Sequence, residues 1–379
     1  MENTDWKQPR KHLNVAFNLN VLKGFIPIFS EYSKLAVKEL ENQVDGDEFD
    51  LQMFISRLTY RTVSATMLNV HRVETSAFDD LFKSISTVSE CLFTRMCNVF
   101  YHPSFIYKLT STYRREKKAS QFLIKYGNDL IDEGRMRIAK SLDHNQNQVQ
   151  DEFEKPKVEF IIDQLINHES KFTDNELRDH LLTLKLTASD TTTNLVLATL
   201  LYISMFPDVQ QKVVLEMNFT DAEVDYEQIS ALKYLDMVIK ETLRLFGPIP
   251  MMMRYAFEHC DLGTGKRVKA GTKIFFFNYV LHQRRDIWGP NSNKFDPENF
   301  SPEKIAERDA YAFVPFGMGS RNCIGYRYSL LASKVFLYEL LKAYKFSTKI
   351  TEESMRMKLA FVGKLSSKYL VSIARRDAK

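Results

Sequence analysis

Apolar side chains recur at helical spacing in successive blocks over roughly residues 6–20, 27–43, 50–68, 77–100 and 111–140. Phe93, Phe100, Tyr101, Phe105 and Tyr107 crowd the stretch 85–109 and read as core, with a membrane-touching surface as the second reading. The polar run 143–150 predicts a loop between two helices. Thr173 and Glu176 form a capping box, a hydroxyl at the N-cap and a carboxylate three residues on. From there apolar residues continue to Met205, and Pro207 reads as a stop. That helix is about 32 residues, or roughly 48 Å long. It is apolar nearly all round after Leu181, so it belongs in the middle of a large domain. A second helix over 227–246 carries Leu232, Leu235, Ile239, Leu243 and Phe246 on one stripe and ends at Gly247-Pro248.

The pattern then changes. Residues 268–280 read as short strands and turns, 286–303 as an irregular meander, and 325–344 as a final helix. Strand-like stretches follow over 357–374. The predicted fold class is mainly α with a small β portion, in a single domain spanning 1–379.

Composition narrows the class. Among 379 residues there are 13 Gly and 11 Pro, about 3% each against average usage of roughly 7% and 5%. So few turn formers exclude a β-sandwich or a collagen-like chain. The net charge of +4 is a mild basic excess. Its densest cluster, Arg114, Arg115, Lys117 and Lys118, reads as a solvated helix face, and nucleic acid is not an expected partner. Cys91, Cys97, Cys260 and Cys323 form neither a disulfide framework nor a zinc pair. The best candidate span, 181–206, is interrupted by Lys185, Asp190 and Asn194, and its clean 12 residues fall short of the ~20 that cross a bilayer.

The most informative segment is FVPFGMGSRNCIG, residues 313–325. Cys323 follows a Gly-bearing loop and precedes a helix whose N-terminus favours a thiolate. Gly319 and Gly325 allow tight backbone on both sides of the sulfur, Phe316 supplies a flat apolar wall, and Arg321 offers a partner for an acid. A buried structural cysteine and a Cys–His hydrolase are the competing readings, though no nucleophile signature surrounds it. By chance the spacing Phe316, Gly319, Arg321, Cys323, Gly325 should arise in fewer than roughly one chain in ten thousand.

This segment resembles the haem-binding loop of cytochromes P-450, in which the cysteine thiolate is the proximal ligand of haem iron. Three further segments resemble the family in the same order. Glu241-Thr-Leu-Arg244 matches its ExxR pair, whose i,i+3 spacing puts both charges on one helix face. The resemblance implies that they lock the meander, with Asn299 of FDPENF standing where many members have Arg. TASDTT, residues 187–192, resembles the oxygen-activation motif, which gives Thr191 the bound oxygen and its protons and Asp190 their delivery. Hydroxyls bonding back to i−4 carbonyls are the competing reading. Thr187 lies where haem-esterifying members carry Glu, so no covalent haem link is expected. Trp6-Lys-Gln-Pro-Arg10 resembles WxxxR, and Arg254 matches another arginine that, with Trp6, Arg10 and Arg321, contacts haem propionates.

The resemblance is strongest to microsomal, insect-like members of the fatty-acid-hydroxylase (family 4-like) clan. It implies a monooxygenase that uses haem b and inserts one atom of O2 into an apolar lipid, hormone or xenobiotic. Electrons would come from an NADPH-cytochrome reductase, with cytochrome b5 as an accessory, at the cytoplasmic face of the endoplasmic reticulum membrane. Met251, Met252 and Met253 would lie near the substrate. Members of the family have about a hundred or more residues before WxxxR, so the chain is read as a partial domain lacking the N-terminal helices and strands. The alternatives are a non-catalytic truncated product that does not retain haem, and an oxygen-independent isomerase, against which Asp190 and Thr191 argue.

Overall fold

The computed structural model describes residues 6–71, 75–145, 160–167, 172–219, 222–263 and 265–376. In chain order the helices are α1 (Lys7–Ala16), α2 (Leu19–Gly24), α3 (Ile26–Leu40), α4 (Gln52–Leu68), α5 (Thr75–Cys97), α6 (Ser104–Lys108), α7 (Ser111–Asn145) and α8 (Ile161–Asn167). They continue with α9 (Asp174–Met205), α10 (Pro207–Met217), α11 (Tyr226–Ala231), α12 (Lys233–Phe246), α13 (Asn278–Leu281), α14 (Arg285–Trp288), α15 (Pro302–Glu307) and α16 (Tyr326–Ala343). The β portion is small. Strand β1 (Phe49–Asp50) and β6 (Tyr344–Ser347) flank β9 (Leu370–Arg375) in one antiparallel sheet, and β2 (Met252–Tyr255) pairs with β5 (Lys273–Phe276). Two further ladders join β3 (Cys260–Asp261) to β4 (Arg267–Val268), and β7 (Met357–Lys358) to β8 (Lys364–Leu365).

Helix α9 runs through the main core, against α4, α7, α12 and α16. Its 32 residues start at the expected capping box, in which the Thr173 hydroxyl accepts from the Glu176 amide and the Glu176 carboxylate accepts from Thr173 N–H. Helix α4 is rich in Ser and Thr yet almost fully buried. Its Thr59, Thr62, Ser64 and Thr66 hydroxyls each donate to the carbonyl four residues back, which satisfies them locally and lets α4 lie close to α9.

Helix α9 ends at Met205 as expected, and Pro207 occupies N1 of a new helix, α10, after a 112° bend, where its missing N–H costs nothing. Two sequence expectations are revised. The helix expected over 227–246 breaks at Leu232, whose ψ of 84° leaves the helical region. The amides of Tyr234 and Leu235 are then capped by the Glu216 carboxylate from α10, a partner 18 residues upstream of the first. The aromatic stretch expected as core divides. Tyr107 is buried, but Val99, Phe100, Phe105 and Leu109 are each more than 70% exposed around the α5–α6 turn. Of the predicted loop 143–150, residues 143–145 finish α7 and the rest lie outside the described residues. Arg114, Arg115, Lys117 and Lys118 are exposed on α7, with Arg115 paired to Glu90, as a solvated face should be. Among the described residues no single helix is long and apolar enough to cross a membrane.

Candidate functional site

The loop 313–325 is held from both ends. The Cys323 amide donates to the Phe316 carbonyl at 2.8 Å, closing the loop on itself. Gly317 has φ +69°, a left-handed conformation that side chains resist, and a Cβ there would meet Met252 Sδ at 3.2 Å. Gly319, also left-handed at +75°, begins a short 3₁₀ turn through Arg321. Helix α16 starts three residues after the sulfur.

Cys323 is open to solvent on one side while protein crowds the others. Crowding pushes its thiol up from the ordinary value, against the Gly325 amide and the Arg10 charge, which both pull it down. The amide at the helix start thus favours the thiolate in the expected direction, and burial outweighs it. A bound metal ion reverses that balance, because a coordinating thiol is deprotonated outright.

Around the cysteine the structure gathers the four residues expected to hold acids. Arg321 lies 3.9 Å over the Trp6 ring. Arg10 donates to Asn14 and, at 3.0 Å, to the Asn322 side chain beside Cys323. Desolvation, then the charges of Arg254 and Arg10, lower the Arg321 guanidinium below its ordinary value, so the three cations feel one another. No carboxylate among the described residues pairs with any of them, and Trp6 Nε1 is a buried donor without a partner. Like charges gathered beside a bare N–H form a donor set that wants a dianion. With a thiol in the same site, that chemistry fits haem and its two propionates.

The ExxR pair lies behind this loop. Glu241 and Arg244 are fully buried and joined by two hydrogen bonds of 2.6 and 2.7 Å. Arg244 also donates to the carbonyls of His282, Ser292 and Lys294, so one guanidinium ties three points of the meander to α12. Glu241 accepts from the Asp296 amide and, at 3.1 Å, from Asn299 Nδ2. The amide thus reaches the carboxylate as expected. A second cation does stand near, and sequence reading missed it. Arg308 donates to the Asn299 carbonyl and stacks 4.3 Å over Trp288, whose ring also faces Arg244 at 4.8 Å.

His282 carries this lock to the cysteine loop, since its Nε2 accepts from the Val314 amide at 3.0 Å. Burial first and the Arg244 charge second hold its pKa down to about 4, so it stays a neutral acceptor. In the unfolded chain it titrates near its ordinary 6.5, so this contribution is complete above that pH and is lost as pH falls towards 4. Stability should fall by roughly 3 kcal/mol over that window from this residue alone. Urea titrations at pH 7 and pH 4.5 check it: the decline should shrink markedly in His282→Gln.

On α9, Thr183, Thr187 and Thr191 share a stripe and each donates to the carbonyl four residues back, the bond from Thr191 being 2.6 Å. Back-bonding of the threonines is therefore what the structure displays. Thr191 is half-buried, whereas Asp190 is buried and turned to α4, where it accepts from Tyr60 Oη at 2.6 Å. No hydrogen bond joins the side chains of Asp190 and Thr191. Met252, with its sulfur near Gly317, abuts the loop, and Met253 is 48% exposed.

A family model described as "Cytochrome P450" matches residues 1–373. Cytochrome P450 4c21 of Blattella germanica is 30% identical over 365 residues, covering 94% of this chain and 72% of that protein. "Probable cytochrome P450 313a4" of Drosophila melanogaster is 28% identical, covering 98% and 76%. Cytochrome P450 4c3 of the same fly is 28% identical, covering 90% and 66%. The chain belongs to the cytochrome P-450 family, mainly α oxidoreductases of the monooxygenase type that carry haem on an axial cysteine thiolate.

Proposed function

We propose that this haem-thiolate monooxygenase oxidises an apolar lipid, hormone or xenobiotic, with electrons from an NADPH-cytochrome reductase and cytochrome b5 as an accessory donor. When bound, haem supplies the oxygen-activating chemistry. Cys323 would hold the iron through its thiolate, kept in place by the Phe316 and Gly325 backbone contacts, with the Phe316 ring as a wall of the site. Trp6, Arg10, Arg254 and Arg321 bind the two acids. Thr191 orients a proton at its hydroxyl and Asp190 helps deliver it. Glu241, Arg244 and Asn299 are structural. The observation that carries this reading is the cluster, beside one loop cysteine, of three guanidiniums and an indole N–H that no carboxylate among the described residues pairs with. Arg321→Ala should weaken haem retention about tenfold, the loss of one charge-assisted bond; haem transfer to apomyoglobin measures it.

For the place of action we propose the cytoplasmic face of the endoplasmic reticulum membrane. Four bare apolar side chains, Val99, Phe100, Phe105 and Leu109, support it, with Lys108 exposed among them. The direct test of the reaction is reconstitution with NADPH-cytochrome reductase and dodecanoic acid as probe. Hydroxylated product that needs both NADPH and reductase supports the reading. NADPH consumption with no oxygenated product from dodecanoic acid or from a panel of apolar xenobiotics opposes it.

A further inference from the structure

The buried acid of α9 has a partner that no motif announces. Tyr60, 130 residues upstream on α4, donates its phenol to Asp190 at 2.6 Å, and both groups are buried. Burial first, and then the Asp190 charge and the hydrogen bond to it, raise the phenol well above its ordinary value, so Tyr60 remains the donor. Its ring is fixed edge-on against Phe78 at 5.7 Å and Phe82 at 5.6 Å, both on α5. Residue 190 lies about 100° round α9 from residue 191. Tyr60 therefore draws the carboxylate away from the Thr187–Thr191 stripe and towards α4 and α5.

The geometry points to Tyr60 as a positioning residue: it holds the Asp190 carboxyl group parked against α4, and it ties that group to the packing of α5. The inference rests on the reading of Asp190 as a proton-delivering acid. Lys185 on α9 sits 5.9 Å over the Tyr60 ring and donates to Ser64 on α4. The apolar cluster around Tyr60 includes Phe78, Leu81 and Ile85 of α5 and, from α7, Leu123 and Tyr126, whose phenol is pushed up by burial. Among the described residues no second side-chain donor reaches the Asp190 carboxyl group, so removing the phenol leaves a buried polar group without its partner.

The test uses the haem-loaded chain and a readout that does not depend on turnover. Infrared difference spectra at pH 7 should show a shifted Asp190 carboxyl band in Tyr60→Phe, from loss of the phenol hydrogen bond, that is absent from the parent and from Tyr60→Phe/Asp190→Asn. The Phe ring keeps the contacts with Phe78 and Phe82. With reductase and dodecanoic acid, peroxide released per NADPH should rise twofold or more in Tyr60→Phe and in Asp190→Asn, and no further in the double variant. Absence of the band overturns the assignment of Tyr60. The band together with unchanged peroxide release in Asp190→Asn instead overturns the reading of Asp190 on which the inference rests. If Tyr60→Phe does not load haem, site-specific fluorotyrosine at position 60 serves. It should shift the Asp190 carboxylate stretch through a stronger bond, and an unshifted band overturns the assignment.

Discussion

Replacing Arg244 with Ala should leave a chain that neither folds stably nor keeps haem. The guanidinium is fully buried and serves five acceptors: both Glu241 oxygens and the carbonyls of His282, Ser292 and Lys294. Its removal strands the Glu241 carboxylate in the interior, which costs about 3–5 kcal/mol for a broken buried pair. A domain has only about 5–15 kcal/mol in total. Three carbonyls of the meander lose their donor in the same step, and the path through His282 to the cysteine loop loosens. Arg244→Lys should do little better, because an ammonium cannot fork to a carboxylate and also reach three carbonyls. Soluble yield, haem content and urea midpoints check this. A variant within about 1 kcal/mol of the parent would show that the lock is not structural.

The second large effect runs the other way. Lys185 is buried between α9 and α4 with one hydrogen bond, from Nζ to Ser64 Oγ, and no carboxylate partner among the described residues. Desolvation holds its pKa down to about 7 against an ordinary 10.5. That gap corresponds to a cost on the order of 4–5 kcal/mol for keeping the charge inside. Below pH 7 both folded and unfolded chains hold the proton, so the whole cost is felt. As pH rises from 7 to 10.5 the folded chain has shed a proton that the unfolded chain keeps, and the cost fades. Lys185→Met should accordingly stabilise the protein by roughly 2–4 kcal/mol at pH 6 and by far less at pH 9.5. Thermal midpoints at the two pH values measure it. An equal effect at both would mean that Lys185 does not carry a buried charge.

What the sequence disclosed and what it withheld follow from the range of each interaction. The capping box of α9 and the loop ending at Cys323 are local, with partners three residues apart or a backbone turn set by glycines, so spacing reveals them, whereas the buried Glu241–Arg244 lock was read from its resemblance to the ExxR pair. The long α9 was legible because its apolar surround demands burial on every side. The break at Leu232 was not, because the cap that permits it is Glu216 from another helix. Tyr60 and Asp190 are 130 residues apart, and Arg308 reaches Asn299 by stacking on Trp288, contacts that only packing creates. Lys185 read merely as an interruption of an apolar run, and its burial is a property of how α4 meets α9. The aromatic stretch at 100–107 has the composition of a core, and composition cannot say that Phe100 and Phe105 face outwards while Tyr107 faces in.

One measurement bears most directly on the whole assignment: the difference spectrum of the dithionite-reduced chain with carbon monoxide. The red-shifted Soret band that gives the family its number is expected for the parent, since a thiolate must face iron for it to appear, and it should vanish in Cys323→Ala. Persistence of the band in Cys323→Ala, or a blue-shifted band in the parent, would contradict the placement of iron on Cys323.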